Sequence, residues 1–163
     1  MGKEKFKTLP IFIEYQITHN AYIDFLEIVR NLPSFFDEHK YYFFEQKRSE
    51  KDTGVGFEIE SVWIASREVD HYVKFEIQIQ LFLRDVRKVV LEDGKETFWA
   101  RAIVRLNSSM VKNHNKTFKT DWWNETLRQF YERYVIRPRL DAFEGKAVED
   151  CLDLVEHIKS RMK

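Results

Sequence analysis

With 163 residues, 44% hydrophobic and 15% aromatic, the chain has the material for one folded domain with its own core and lies far from the composition of a disordered segment. Twenty-seven basic residues balance 27 acidic ones, so zero formal net charge excludes a global basic field that would recruit nucleic acid or anionic membrane. A single cysteine, Cys151, excludes an intramolecular disulfide and a thiolate metal cluster, and a reducing cytoplasmic setting is expected.

The opening MGKEKFKTLP is charged and has no apolar run, so it reads as no secretion signal; Phe6 stands where a myristoylation motif wants Ser or Thr. No stretch approaches the roughly 20 apolar residues of a membrane-spanning helix. Leu9 to Thr18 alternates Ile11, Ile13, Tyr15 and Ile17 with Phe12, Glu14 and Gln16, which predicts a first strand. Tyr22, Phe25, Leu26, Val29 and Leu32 then recur at helical spacing, with Asn20 as N-cap and Pro33 as the stop.

Tyr41 to Arg48 reads as a strand, Asp52 to Gly54 as a turn, and Val55 to Arg67, with Phe57, Ile59 and Trp63 alternating, as the return strand of a hairpin. After a reversal at Val69 and Asp70 comes the clearest pattern in the chain, His71 to Asp85. Val73, Phe75, Ile77, Ile79, Leu81 and Leu83 form one apolar row, opposed by Lys74, Glu76, Gln78, Gln80 and Arg84. A turn at Glu92 to Gly94 leads to a fifth strand, Glu96 to Met110, whose row Phe98, Ala100, Ala102, Val104 and Leu106 faces the same side. Asn107 to Lys119 reads as a ragged strand end or loop. Thr120 or Asp121 then caps a helical segment carrying Trp123, Leu127, Phe130 and Tyr134, interrupted at Pro138 and continued after Gly145 by Val148, Cys151, Leu152, Val155 and Ile158.

This predicts an α+β fold over 1–163, a curved antiparallel sheet packed against a long C-terminal helix, with the Trp123 to Tyr134 stripe covering the sheet. The order of elements, and most of all AYIDFLEIVRNLPSFF (residues 21–36), resembles the START-like (SRPBCC) superfamily with its helix-grip fold. The resemblance implies a cavity between sheet and last helix that takes a lipid, hormone, polyketide or aromatic compound. Two departures stand out: five strands where the family has six or seven, and the interruption at Pro138.

On the residues themselves, the aromatics Trp63, Phe75, Phe98, Trp123, Phe130 and Tyr134, with Ile77 and Leu127, are candidate lining for a small apolar or aromatic ligand. Ala100 and Ala102 leave room in the middle of the inward row. Glu58, Glu60, Lys74, Glu76, Arg101 and Arg105 read as cross-strand ion pairs on the wet face, and the Arg133, Arg137 and Arg139 group, interleaved with Glu132 and Asp141, as a solvated surface. His19, His39, His71, His114 and His157 have no metal-ligand spacing, Cys151 reads as a buried inert thiol, and there is no Gly-rich phosphate loop, so no cofactor, metal or catalytic residue is assigned. Val62, Ile64, Phe82, Trp99 and Ile103 fall on the nominally polar faces and would suit a homodimer interface. Three functions follow: a binder of a small hydrophobic molecule, an interaction and assembly module with a filled core, or cyclase- or hydrolase-like catalysis in the pocket, which needs a buried ionisable group that the sequence does not identify.

Overall fold

The structure, a computed structural model, describes residues 8–23, 25–119 and 121–162, with the side chains of 21, 23, 25 and 26 outside that description. Residues 1–7, read above as carrying neither a secretion signal nor a lipidation site, and the alternative helix cap Thr120 also lie outside it. The elements are β1 (Thr8–Ile23), α1 (Phe25–Glu38), β2 (Tyr42–Asp52), β3 (Phe57–Glu68), β4 (Val73–Val90), β5 (Glu96–Lys112), α2 (Trp122–Phe130), a single π turn (Tyr131–Val135) and α3 (Arg137–Arg161). The strands pair antiparallel in the order β1-β5-β4-β3-β2, an open sheet on which α3 lies. The α+β architecture expected from the sequence is the one observed.

The alternation in β4 does what it predicts. Phe75, Ile77, Ile79, Leu81 and Leu83 are 1 or 2% exposed, and the register sets Trp63 and Leu106 on either side of Ile79 and Ala65 beside Ile77. At about 25 cal/mol per Å² of apolar surface removed from water, this row is the main reason the sheet holds its register, because a one-residue slip would turn all five side chains to solvent. Asp70 shapes the preceding reversal, accepting the amides of Tyr72 and Val73 on Oδ1, each at 2.7 Å.

Both ends of the sheet run further than local sequence indicates. β1 continues through Ile23 because His19 to Ile23 pair with Phe98 to Ala102; Asn20, expected as a helix cap, is a strand residue opposite Arg101. Pro33 does not stop α1, which continues to Glu38 with Pro33 inside it. An interior proline costs ~3 kcal/mol, and Ile28, Leu32, Phe35 and Phe36, all buried on one face, offset it. The helix ends in a Schellman motif built on Lys40 at φ 62°, where the Tyr41 amide bonds Phe36 O at 2.8 Å and the Lys40 amide bonds Asp37 O at 3.0 Å. A lysine rather than a glycine in that position hides the cap from the sequence.

At the C-terminal end, Pro138 opens a helix instead of interrupting one: it occupies the first turn of α3, where its missing N–H is no loss. The stripe that grips the sheet is Leu140, Ala147, Cys151, Leu154, Val155 and Ile158, all buried in the same cluster as the β4 and β5 rows. The expectation that Trp123, Leu127, Phe130 and Tyr134 would do so is corrected. These four are 58%, 41%, 58% and 65% exposed, and α2 turns Arg128 inward in their place.

Candidate functional site

Alternation along β5 carries past Leu106, Ser108 and Met110 to Lys112, so the last residue of the inward row is a lysine, 11% exposed at its side chain. A buried ammonium requires a paired acid. It finds Glu132 in the π turn, whose Oε2 accepts from Lys112 Nζ at 3.0 Å while Oε1 accepts from Tyr72 Oη at 2.6 Å and Arg128 Nη1 at 3.0 Å. Arg128 in turn donates to Glu125 through Nε at 3.1 Å. Burial alone would raise the Glu132 pKa, but the Tyr72 hydroxyl and the Lys112 and Arg128 cations outweigh it and hold the carboxyl below its ordinary value. The same burial and the adjacent carboxylate push the Tyr72 phenol above its ordinary range. A carboxylate with three donors and a depressed pKa is a poor proton acceptor at neutral pH; it is an anchor, fastening the α2–α3 junction to the end of β5.

Over this anchor lies an open cleft of about 630 Å³ between the sheet and the C-terminal helical segments. Leu9 and Met110 from the sheet, Leu140 from α3, and Phe130 and Tyr134 are its apolar lining, the last two with their rings 4.9 Å apart. Its polar lining includes Lys112, Gln129, Glu132, Arg133, Arg137, Asp141 and Glu144. Arg137 pairs with Asp141 at 3.2 Å. Arg133 has no acidic partner among the described residues and lies 5.6 Å over the Tyr134 ring. The site therefore offers a slot for an apolar body beside one arginine without an acidic partner, Arg133, the Gln129 amide being bonded to Glu125 at 3.3 Å.

The ten residues singled out from sequence fall into three places. Trp63, Phe75, Ile77, Ala100 and Ala102 are core, 2%, 1%, 2%, 1% and 0% exposed, and the 630 Å³ cleft touches none of them. Ile77 also borders a depression of about 400 Å³ beside the β1 bulge at Ile13. Phe98, at the start of β5 opposite Lys88, is 44% exposed, and Trp123 and Leu127 stand on the outer side of α2. Only Phe130 and Tyr134 line the cleft. Glu132, read as part of a solvated surface, is 6% exposed because its three donors are all inside.

Lys112, Tyr72 and Arg128 escaped the sequence reading. The signal for two of them was present: Lys112 continues the even-numbered inward row by one more step, and Glu125, Arg128 and Glu132 recur at helical spacing. A second buried carboxylate, Asp150 of α3, accepts from Tyr41 Oη at 2.8 Å and sits 3.2 Å from Lys146 Nζ and 3.7 Å from Arg67 Nη1. It ties α3 to the start of β2. Burial pushes the neighbouring Cys151 thiol up to about 11, against the lowering effect of the Ser108 hydroxyl, so the thiol is protonated and inert at neutral pH.

On the outer face of the sheet, Lys47 with Glu60 at 3.1 Å and Arg101 with Asp85 at 3.3 Å pair across neighbouring strands as expected, whereas Lys74 pairs with Glu76 of its own strand at 2.7 Å and Arg105 donates to Gln16 at 3.2 Å. Val62, Ile64, Phe82, Trp99 and Ile103 share that face, but Val62 is buried and the other four are half-buried, with Arg105 lying 5.3 Å over Phe82 and Arg87 5.7 Å over Trp99. The five are not the open patch expected of a docking surface. Among the described residues no group of three His, Cys, Asp or Glu stands ready to hold a metal ion, and no helix is long and apolar enough to cross a membrane. Compared with protein-family models, curated proteins and solved structures, the chain finds no match.

Proposed function

We propose that the chain is a cytoplasmic binder of a small molecule with an apolar or aromatic body and a polar, anionic end, held in the cleft between sheet and C-terminal helical segments. The observation that carries this reading is the cleft itself: about 630 Å³, within the range of small-molecule sites, with two adjacent aromatic rings in its lining and an acid-free arginine beside them. Burial of the body against Leu9, Met110, Leu140 and Phe130 supplies the affinity, and Arg133, Gln129 and the Tyr134 hydroxyl fix the polar end. An open sheet with a long C-terminal helix on it is compatible with a helix-grip arrangement, and the likeness to START-like proteins supports a ligand role without assigning the ligand.

Titration with 1-anilinonaphthalene-8-sulfonate, an aromatic anion, tests the cleft. One saturable site per chain is expected, weakened about fivefold by Phe130→Ala or Tyr134→Ala, the loss of ~1 kcal/mol of aromatic contact. Arg133→Gln weakens the sulfonate probe while sparing a neutral naphthalene, and Trp123→Asp, outside the cleft, leaves both unchanged. Probe binding indifferent to Phe130, Tyr134 and Arg133 would remove the cleft from consideration, and native mass spectra of the purified protein free of any small adduct would weigh on the same side.

A further inference from the structure

The outer face of the sheet, opposite the core, divides into two halves of different charge. On β2 and β3 cations and acids balance: Lys47 pairs with Glu60 at 3.1 Å and Lys51 stands opposite Glu58. Where β1, β5 and the far half of β4 meet, the pattern changes. Arg101 stands opposite Arg84 and Trp99 opposite Arg87, Tyr22 flanks Trp99 from β1, and Arg105 lies 5.3 Å over the Phe82 ring. Among the described residues only Asp85 brings an acid to these arginines, holding Arg101 at 3.3 Å; Arg84, Arg87 and Arg105 have no acidic partner.

The register and the backbone both assemble this patch at a cost. Like charges directly opposite on neighbouring strands are destabilising, yet Arg84 and Arg101 hold that position. Arg84 and Arg87 are three residues apart, so in a regular strand one of them would face the core. A β-bulge at Asp85, φ 54°, adds one residue to β4 between the pairs Arg84–Arg101 and Arg87–Trp99 and turns both arginines outward. Gly56 of β3 makes room for the bulge, since a Cβ there would stand 3.0 Å from Val86 O.

Rings and guanidinium groups therefore share one surface. Phe82 and Trp99 are half-buried, with Arg87 5.7 Å over Trp99, while Tyr22 is 51% exposed. Rings lying this low offer little to a membrane, which takes protruding apolar side chains, and nothing to a double helix, whose base faces are hidden by stacking. A single strand uses both halves of the chemistry: its phosphates meet the acid-free arginines, and its bases stack on aromatic rings and on guanidinium planes. Zero net charge denies the chain a global basic field, but contacts within the ~10 Å screening length depend on the local patch.

We propose that this quarter of the outer sheet face binds a single-stranded nucleic acid, its phosphates along Arg84, Arg87 and Arg105 and its bases against Tyr22, Trp99 and Phe82. The site lies on the opposite face of the sheet from the cleft and is independent of the ligand reading.

Fluorescence anisotropy of the full chain with a labelled mixed-sequence strand of about twelve nucleotides, as RNA and as DNA, reads the binding. Saturable binding of either single strand is expected at about 50 mM salt, at least about tenfold tighter than that of the duplex of the same sequence, with log K falling against log salt at a slope of about −2 for three phosphate contacts. Arg84→Gln with Arg87→Gln, both at exposed positions, weakens binding at least about tenfold and flattens the slope by about 1.4, with the far-UV spectrum unchanged. Tyr22→Ala weakens it about tenfold and leaves the slope as it was, because a stacking contact releases no counterion. Lys51→Gln, on the balanced half of the same face, stays within about twofold of the unaltered chain. Failure of both single strands to bind overturns the proposal, as does a duplex bound equally well. So does a strand displaced as readily by poly-L-glutamate or phosphatidylglycerol vesicles as by unlabelled strand, or a Tyr22→Ala variant that binds like the unaltered chain.

Discussion

α2 and α3 are neighbours in the chain and pack on the same sheet, yet they present opposite chemistry to it. α3 lays Leu140, Ala147, Cys151, Leu154, Val155 and Ile158 on the aliphatic middle of β4 and β5, where burial alone is favourable. α2 meets the end of the sheet, where Lys112 and the Tyr72 hydroxyl are already inside and demand an acid. The contrast teaches that a helix's apolar stripe does not choose its own orientation. A buried cation left unpaired is more costly than several exposed aromatics, so the receiving surface decides which face turns in.

Removing the acid should break the α2 side most severely. Glu132→Ala leaves Lys112 buried and unpaired and Arg128 held by Glu125 alone, and an equilibrium denaturant titration is expected to lose about 3–5 kcal/mol; replacing Lys112, Arg128 and Glu132 together by Met, Leu and Leu should recover most of it. A triple variant as unstable as the single one would mean that the cluster stabilises by more than its own satisfaction. On the α3 side, Leu154→Ala opens a cavity in a site 0% exposed and should cost about 3 kcal/mol, with no recovery available from a second polar change.

Acid separates the two ends next. Because the Glu132 pKa is lower folded than unfolded, its contribution is fully present above the ordinary glutamate range and is lost as pH falls through the folded value. Melting temperatures between neutral pH and about pH 3 should therefore drop less steeply in Glu132→Gln than in the unaltered chain, and equal slopes would contradict the cluster's role. The smallest effect is a gain: Gly145 sits inside α3 with nothing within 4 Å of an added Cβ, so Gly145→Ala should raise stability by ~0.5–1 kcal/mol in the same titration.

Much of the sheet was legible before any coordinates. The period-two rows of β3, β4 and β5 and the turns at Asp52–Gly54 and Glu92–Gly94 stand where local pattern and turn chemistry place them. The helices were less so. Pro33 and Pro138 carry the same local message, but one lies inside α1, sustained by buried Leu32 and Phe36, and the other begins α3. Of the cleft, Phe130 and Tyr134 were found as aromatics on a stripe, but for a sheet-covering role they do not have. Lys112 and Glu132 were missed because a charge in a one-dimensional pattern is assigned to solvent unless its partner is known, and the partners are 20 residues apart.

By itself, the order of residues determined the α+β class, the antiparallel rows and an inert buried cysteine, since each depends on side chains within a few positions of one another. The tertiary structure alone decided which helix grips the sheet, which face of α2 turns outward and where a cleft opens. Those outcomes rest on pairings such as Lys112 with Glu132 and Tyr41 with Asp150, whose energies exist only once distant segments have met in a water-poor interior.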